Sequence, residues 1–152
     1  MCGDVTLQIV DMSDKTEWSC QVYNWLVDYQ AENGVDIKRD HVESSGMRCN
    51  GVYAFDGEKL VGGTLFTLHK NWMFLDAVFI LPEYRGKKIF TKIYNELNSI
   101  CFDMKLSGIH LSTYTFESPH IYEHFGFVKG CVMPNVPPGN TSVDYYKVLN
   151  FL

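Results

Sequence analysis

Phe79-Ile80-Leu81-Pro82-Glu83-Tyr84-Arg85-Gly86-Lys87-Lys88-Ile89-Phe90 joins an apolar strand to the opening of a helical pattern through a short basic loop. Such a junction leaves the first backbone N–H groups of the helix without intrahelical partners, and the helix dipole adds positive potential there. Those donors suit a phosphate-bearing cofactor. A plain strand–helix connection with solvated lysines fits the same residues, because the spacing alone is not specific.

Working outward, Leu7 to Val10 reads as a first strand and Lys15 to Glu32 as a helix, with Trp18, Val22, Trp25, Leu26 and Tyr29 at helical spacing and Asn33-Gly34 as its stop. Residues 35–50 are polar, with a short second helix expected around Asp40. Gly51–Phe55 and Leu60–Leu68 read as a hairpin around Asp56-Gly57, with Gly62-Gly63 marking a bulge or a close backbone approach. Trp72–Leu81 is the next strand. Ile89–Met104 is a helix with Ile89, Ile93, Leu97 and Ile100 on one face. Ile109–Tyr114 is a strand, and Ser118-Pro119 predicts a short helix with Ser118 as N-cap. Phe127–Met133 and Val143–Leu149 close the chain as strands around a proline-stiffened loop at Pro134–Asn140. A β-α-β unit inside an otherwise antiparallel sheet makes an α/β architecture.

The 152 residues are expected to form a single domain, with 46% hydrophobic and 14% aromatic residues to supply its core. A net charge of −5 and a pI near 5.4 argue against a nucleic-acid surface. Arg85, Lys87 and Lys88 are a local positive patch on an acidic chain. Five scattered cysteines without a C-x-x-C pair read as reduced thiols, and Met1-Cys2-Gly3-Asp4 lacks the features of a signal peptide. The expectation is a cytoplasmic protein with no membrane span.

Two blocks carry a family resemblance. Ile80-Leu81-Pro82-Glu83-Tyr84-Arg85-Gly86 and the following Lys87-Lys88-Ile89-Phe90 resemble the V-x-P-x-x-R-G lead-in and Q/R-x-x-G-x-G/A loop of the GNAT superfamily of N-acetyltransferases. Ser118-Pro119-His120-Ile121-Tyr122-Glu123-His124-Phe125-Gly126-Phe127 resembles that family's A-x-x-F-Y-x-x-x-G-F/Y block. Thr113-Tyr114-Thr115-Phe116-Glu117-Ser118-Pro119 and Pro137-Pro138-Gly139 are similar to a single-domain bacterial branch, as are Tyr23-Asn24 and Val61-Gly62-Gly63. The sequence departs from the pattern at Lys88 and Phe90, where the family has small residues that let the backbone approach a pyrophosphate.

The resemblance implies a mixed, mostly antiparallel twisted sheet of about seven strands with about four helices and a central β-α-β unit. It implies an acyltransferase that uses acetyl-CoA as cosubstrate to acetylate a primary amine by direct attack. Backbone groups of Val78, Phe79 and Ile80 would pair with the pantetheine arm. Arg85, Gly86, Lys87, Lys88, Ile89 and Phe90 would cradle the pyrophosphate, and Thr115 would contact the cofactor where many relatives carry asparagine. Tyr122 would protonate the leaving thiolate, its pKa lowered by the helix N-terminus. The residues alone read Tyr122 as core packing. Asp76 and Glu117 are the candidate general bases, and either reads equally as a solvated charge.

His120, Glu123 and His124 spell H-x-x-E-H, but no third ligand is evident and no metal is expected. Cys101 reads as a small buried hydrophobe. The acceptor is open between a small molecule and a peptide amine, and an exposed edge strand leaves a homodimer open. The alternative function is a catalytically weakened regulatory or interaction protein of the same fold, which Lys88 and Phe90 favour.

Overall fold

The structure, a computed structural model, describes residues 5–10, 16–35 and 50–150. The helix expected around Asp40 lies outside them. Among the described residues, β1 (Val5–Val10), β2 (Asn50–Asp56), β3 (Lys59–His69), β4 (Trp72–Ile80), β5 (Gly108–Tyr114), β6 (Val128–Pro134) and β7 (Thr141–Val148) form one seven-stranded sheet in the order β1-β2-β3-β4-β5-β7-β6. Every neighbouring pair is antiparallel except β4 and β5. Three α-helices of the described residues accompany it: α1 (Thr16–Glu32), α2 (Ile89–Met104) and α3 (His120–His124), with 3-10 turns at Pro82–Tyr84 and Thr115–Glu117.

The turns follow from local chemistry. Gly57, at φ +62°, closes the β2–β3 hairpin, and Lys70 and Asn71 both take positive φ at the β3–β4 turn, as a two-residue hairpin of the primed type demands. Asn71 Nδ2 then donates to the Lys105 carbonyl and to Ser107 Oγ, tying that turn to the end of α2.

The two long helices cover opposite faces of the sheet. Val22 of α1, flanked by Trp18, Trp25, Leu26 and Tyr29, packs on Tyr53, Phe55, Leu65, Ala77 and Phe79. Ile89, Phe90, Ile93, Tyr94, Leu97 and Cys101 of α2 pack on Val52, Ala54, Met73, Leu75, Ile109 and Leu111. Met73 and Leu75 thus face α2, whereas Ala77 and Phe79 face α1. Strict alternation would put all four on one face. The register supplies the reason: Leu65 pairs with Ala77 and Phe66 with Leu75, so Asp76 is an extra residue in a β-bulge that reverses the parity of β4.

Gly62 and Gly63 serve both purposes read for them. The register shifts beside them, between Ala54 and Phe55 of β2, and a Cβ on Gly62 would lie 3.0 Å from the Phe79 carbonyl oxygen. One expected detail is corrected. Ser118 is not the cap of α3: it lies in the left-handed region at the end of the 3-10 turn, and Pro119 stands at the N-cap position. The side chain of Glu117 has already bonded the backbone N–H of Tyr114, closing that turn first.

Candidate active site

β4 and β5 pair from Trp72↔Gly108 to Leu75↔Leu111 and no further. The bulge at Asp76 comes next, and the strands part, leaving a wedge between the rest of β4 and the end of β5. A cleft of about 400 Å³ fills it, walled by Val78, Phe79 and Ile80 on one side and by Glu117, Ser118, Ile121 and Tyr122 on the other. Leu26 and Tyr29 of α1 and the residues from Tyr84 into α2 complete the lining.

Backbone direction in this wedge follows from one hydrogen bond. The N–H of Leu81 donates to the Val61 carbonyl on the β3 side. Alternation then turns the backbone of Ile80 and Val78 toward the gap and that of Phe79 toward β3. Arg85 enters from the loop, its Nε–H donating to the Ile80 carbonyl at 2.8 Å and its guanidinium lying over the Phe79 and Tyr29 rings. Val78 therefore presents the freest peptide edge to the cleft.

The floor is the start of α2. No side chain caps this helix and its first turn holds no acidic residue, so its leading N–H groups face the cleft uncompensated. Tyr84 anchors the loop beneath, buried and donating to Asp56 Oδ2 at 2.6 Å. Lys88, the N-cap, has φ 62° and ψ 24°. This left-handed conformation favours glycine, and a side chain in it costs about 1–2 kcal/mol. The lysine thus adopts the glycine-like backbone path. Phe90 turns inward, edge-on to the rings of Tyr122 and Phe125.

At the other wall stand Tyr122 and Glu117. Burial, and then the negative charge of Glu117, raise the Tyr122 pKa, so the expected lowering by a helix N-terminus is corrected. α3 spans only five residues. Glu117 is half-buried, and burial raises its pKa above the ordinary carboxylate range, against hydrogen bonds from the Tyr114 N–H at 2.8 Å, Thr113 Oγ1 at 3.3 Å and Gln30 Nε2 at 3.4 Å. Asp76, exposed at its bulge, is shifted upward by desolvation against a hydrogen bond from Thr67.

Tyr122, Glu117, Val78, Phe79, Ile80, Arg85, Gly86, Lys88, Ile89 and Phe90 thus meet around one cleft, with Asp76 on a small pocket adjoining it. Two expected residues stand apart. Lys87 turns over the Tyr84 ring, and Thr115 is exposed in its 3-10 turn, outside the lining of the cleft. Tyr29, Gln30, Thr113, Ser118 and Ile121 belong to the site without having been singled out; only the apolar stripe of α1 pointed at Tyr29. Tyr29 Oη–H also donates to the Phe116 carbonyl, bracing α1 against the 3-10 turn that carries Glu117. Cys101 is fully buried beside Met73, its thiol pKa pushed up to about 11, which suits packing and not nucleophilic attack. His120 sits 3.1 Å from Glu123, and among the described residues no group of three or more His, Cys, Asp or Glu is placed to hold a metal ion.

The sheet order, the single parallel pair that splits and the uncapped helix at the split define a class of protein. The acetyltransferase (GNAT) family model matches residues 13–127, and the chain belongs to that family. Among solved structures, the ribosomal-protein-S18-alanine N-acetyltransferase from Escherichia coli superposes with a TM-score of 0.72 at 10% identity, over 98% of this chain and 96% of that one. A GNAT-family acetyltransferase from Staphylococcus aureus Mu50 gives 0.71 at 19% identity, over 95% and 100%. A protein from Bacillus anthracis str. Ames, assigned as a streptothricin acetyltransferase and solved with acetyl coenzyme A, gives 0.61 at 15% identity over 67% of this chain. This chain spans 64% of that protein's length. At these identities the likeness is one of fold. No curated protein matches the chain.

Proposed function

We propose that this protein is an acetyl-CoA-dependent N-acetyltransferase that moves the acetyl group to a primary amine by direct attack. The observation that carries the proposal is the wedge between β4 and β5, floored by an uncapped α2 and walled by a buried tyrosine beside a carboxylate of raised pKa. The acetyl-CoA complex of the Bacillus anthracis structure, which shares the fold, supports the choice of cosubstrate.

The leading N–H groups of α2, with Gly86 and Lys88 beside them, would bind the pyrophosphate. The peptide edge of Val78 would pair with the pantetheine arm and, by its N–H, stabilise negative charge on the thioester oxygen. The acceptor arrives as an ammonium and gives one proton to Glu117, directly or through a water. Its lone pair attacks the carbonyl carbon, a C–N bond forms, the C–S bond breaks, and Tyr122 donates its proton to the departing sulfur. The second proton lost by the nitrogen restores the phenol. The products are an amide, a free thiol and one proton released to solvent. The raised pKa keeps Tyr122 protonated at neutral pH, as a donor requires.

One observation favours the weakened relative instead: Lys88 places a Cβ where a bare backbone would let a pyrophosphate approach most closely. Turnover decides between the two. The purified chain with acetyl-CoA and a panel of primary amines should release thiol in step with amide formation, and no amide from a chain that binds acetyl-CoA would leave the weakened reading standing.

A further inference from the structure

Past Val78, Glu117 and Tyr122, the main cleft continues into a smaller pocket of about 80 Å³ between β4 and β5. Two carboxylates stand on its opposite walls: Asp76 in the bulge of β4, and Glu117 in the turn after β5. Gln30, Ser112 and Thr113 add neutral polar groups, and no lining side chain is basic. Ser112 donates at 2.6 Å to Asp144, so a third carboxylate backs the β5 wall.

Tyr122 gives an independent indication of a ligand. It is only 7% exposed and lines this pocket, and its hydroxyl finds no hydrogen-bond partner among the described residues. Buried polar groups are normally paired, and one left open toward a cavity is satisfied by what enters it. The pocket holds several times the roughly 10–15 Å³ that one water needs, which is room for a slender chain end. A monoamine would offset one of the two facing carboxylates, whereas an amine with a second ammonium would offset both.

We infer that the acceptor is a small unbranched diamine. One nitrogen reaches the junction of pocket and cleft, between Glu117 and Tyr122, and the other is held by Asp76 at the mouth. This rests on the acetyltransfer reading and makes Asp76 a specificity residue, not the base. The distal ammonium keeps its proton throughout, while the reacting nitrogen follows the proton balance given above.

The test compares initial rates of the full chain, at saturating acetyl-CoA, for diaminobutane, butylamine and aminobutyric acid. The diamine should exceed the monoamine in kcat/KM by about tenfold or more, the range of one charge-assisted hydrogen bond, and aminobutyric acid, with a carboxylate facing Asp76, should be the poorest. Asp76→Asn should bring the diamine-to-monoamine ratio close to one. That ratio is internal to each variant, so partial loss of folded protein does not affect it. Equal rates for diamine and monoamine in the unaltered chain overturn the inference while leaving the acetyltransferase reading intact. So does an Asp76→Asn variant that slows both amines alike, as removal of a general base would. Failure to bind acetyl-CoA at all overturns both.

Discussion

In the proposed reaction the neighbouring Tyr122 and Glu117 have different roles because burial acts on acids of different strength. Desolvation raises both pKa values, which leaves the phenol protonated and makes the carboxylate a stronger base than an exposed one. Tyr122→Phe should lower kcat by about a hundredfold or more while changing acetyl-CoA affinity by no more than about twofold; steady-state rates and titration calorimetry on the same sample check it. Glu117→Gln should remove the acidic limb of the kcat/KM profile, which in the unaltered chain falls as pH drops through the raised Glu117 pKa. The same shift fixes the sign of a stability effect. A carboxyl with a folded pKa above its unfolded value binds protons more tightly when folded, so stability is lost as pH rises through that interval. Glu117→Gln should therefore be at least as heat-stable at neutral pH as the unaltered chain and show a flatter dependence of Tm on pH. The proposed roles were only half legible in the sequence. The motif brought Tyr122 forward, but nothing local says that Gln30 joins Thr113 and Tyr114 on Glu117, because Gln30 lies 87 residues away along the chain.

At the scale of single elements, α2 is the part the sequence determines best: its apolar spacing and the basic loop before it give the bounds Ile89–Met104 that the structure has. The departure noted at Lys88 becomes a backbone fact, a left-handed N-cap occupied by a lysine. Lys88→Gly should raise stability by about 1 kcal/mol, or about 2–4 °C in Tm, and leave acetyl-CoA affinity equal or improved; a thermal melt and a titration read both. The β4–β5 pair is a harder case. Its opening depends on a bulge at Asp76 that appears only when β4 is laid against β3, so no period in the β4 sequence announces that Leu75 and Ala77 face opposite cores. Where the two strands still pair, Gly108 leaves no room for a Cβ, which would fall 2.3 Å from the Trp72 ring and 2.5 Å from the Lys147 carbonyl oxygen. Gly108→Ala should cost about 2 kcal/mol or more through overpacking, seen as a lowered denaturation midpoint. The Ser118-Pro119 start signal misled because a carboxylate one residue earlier had already closed the 3-10 turn.

On the scale of the whole molecule, α1 and α2 clamp opposite faces of a sheet whose middle is split, and the split is where both helices, the loop and the segment after β5 come together. The element order and the resemblance of two motifs were enough to place the fold. The proposed acceptor side was not legible as a whole, because it draws on α1, the bulge and the end of β5, segments distant in sequence whose side chains carry no shared motif. The proposed activity requires that this split bind acetyl-CoA at the start of α2. Calorimetric titration of the purified chain with acetyl-CoA, beside dephospho-CoA as a comparison, tests it most directly. Saturable binding in the micromolar range with one molecule per chain, retained by Tyr122→Phe, is the expected result. A folded sample that gives no binding heat at several temperatures would contradict it.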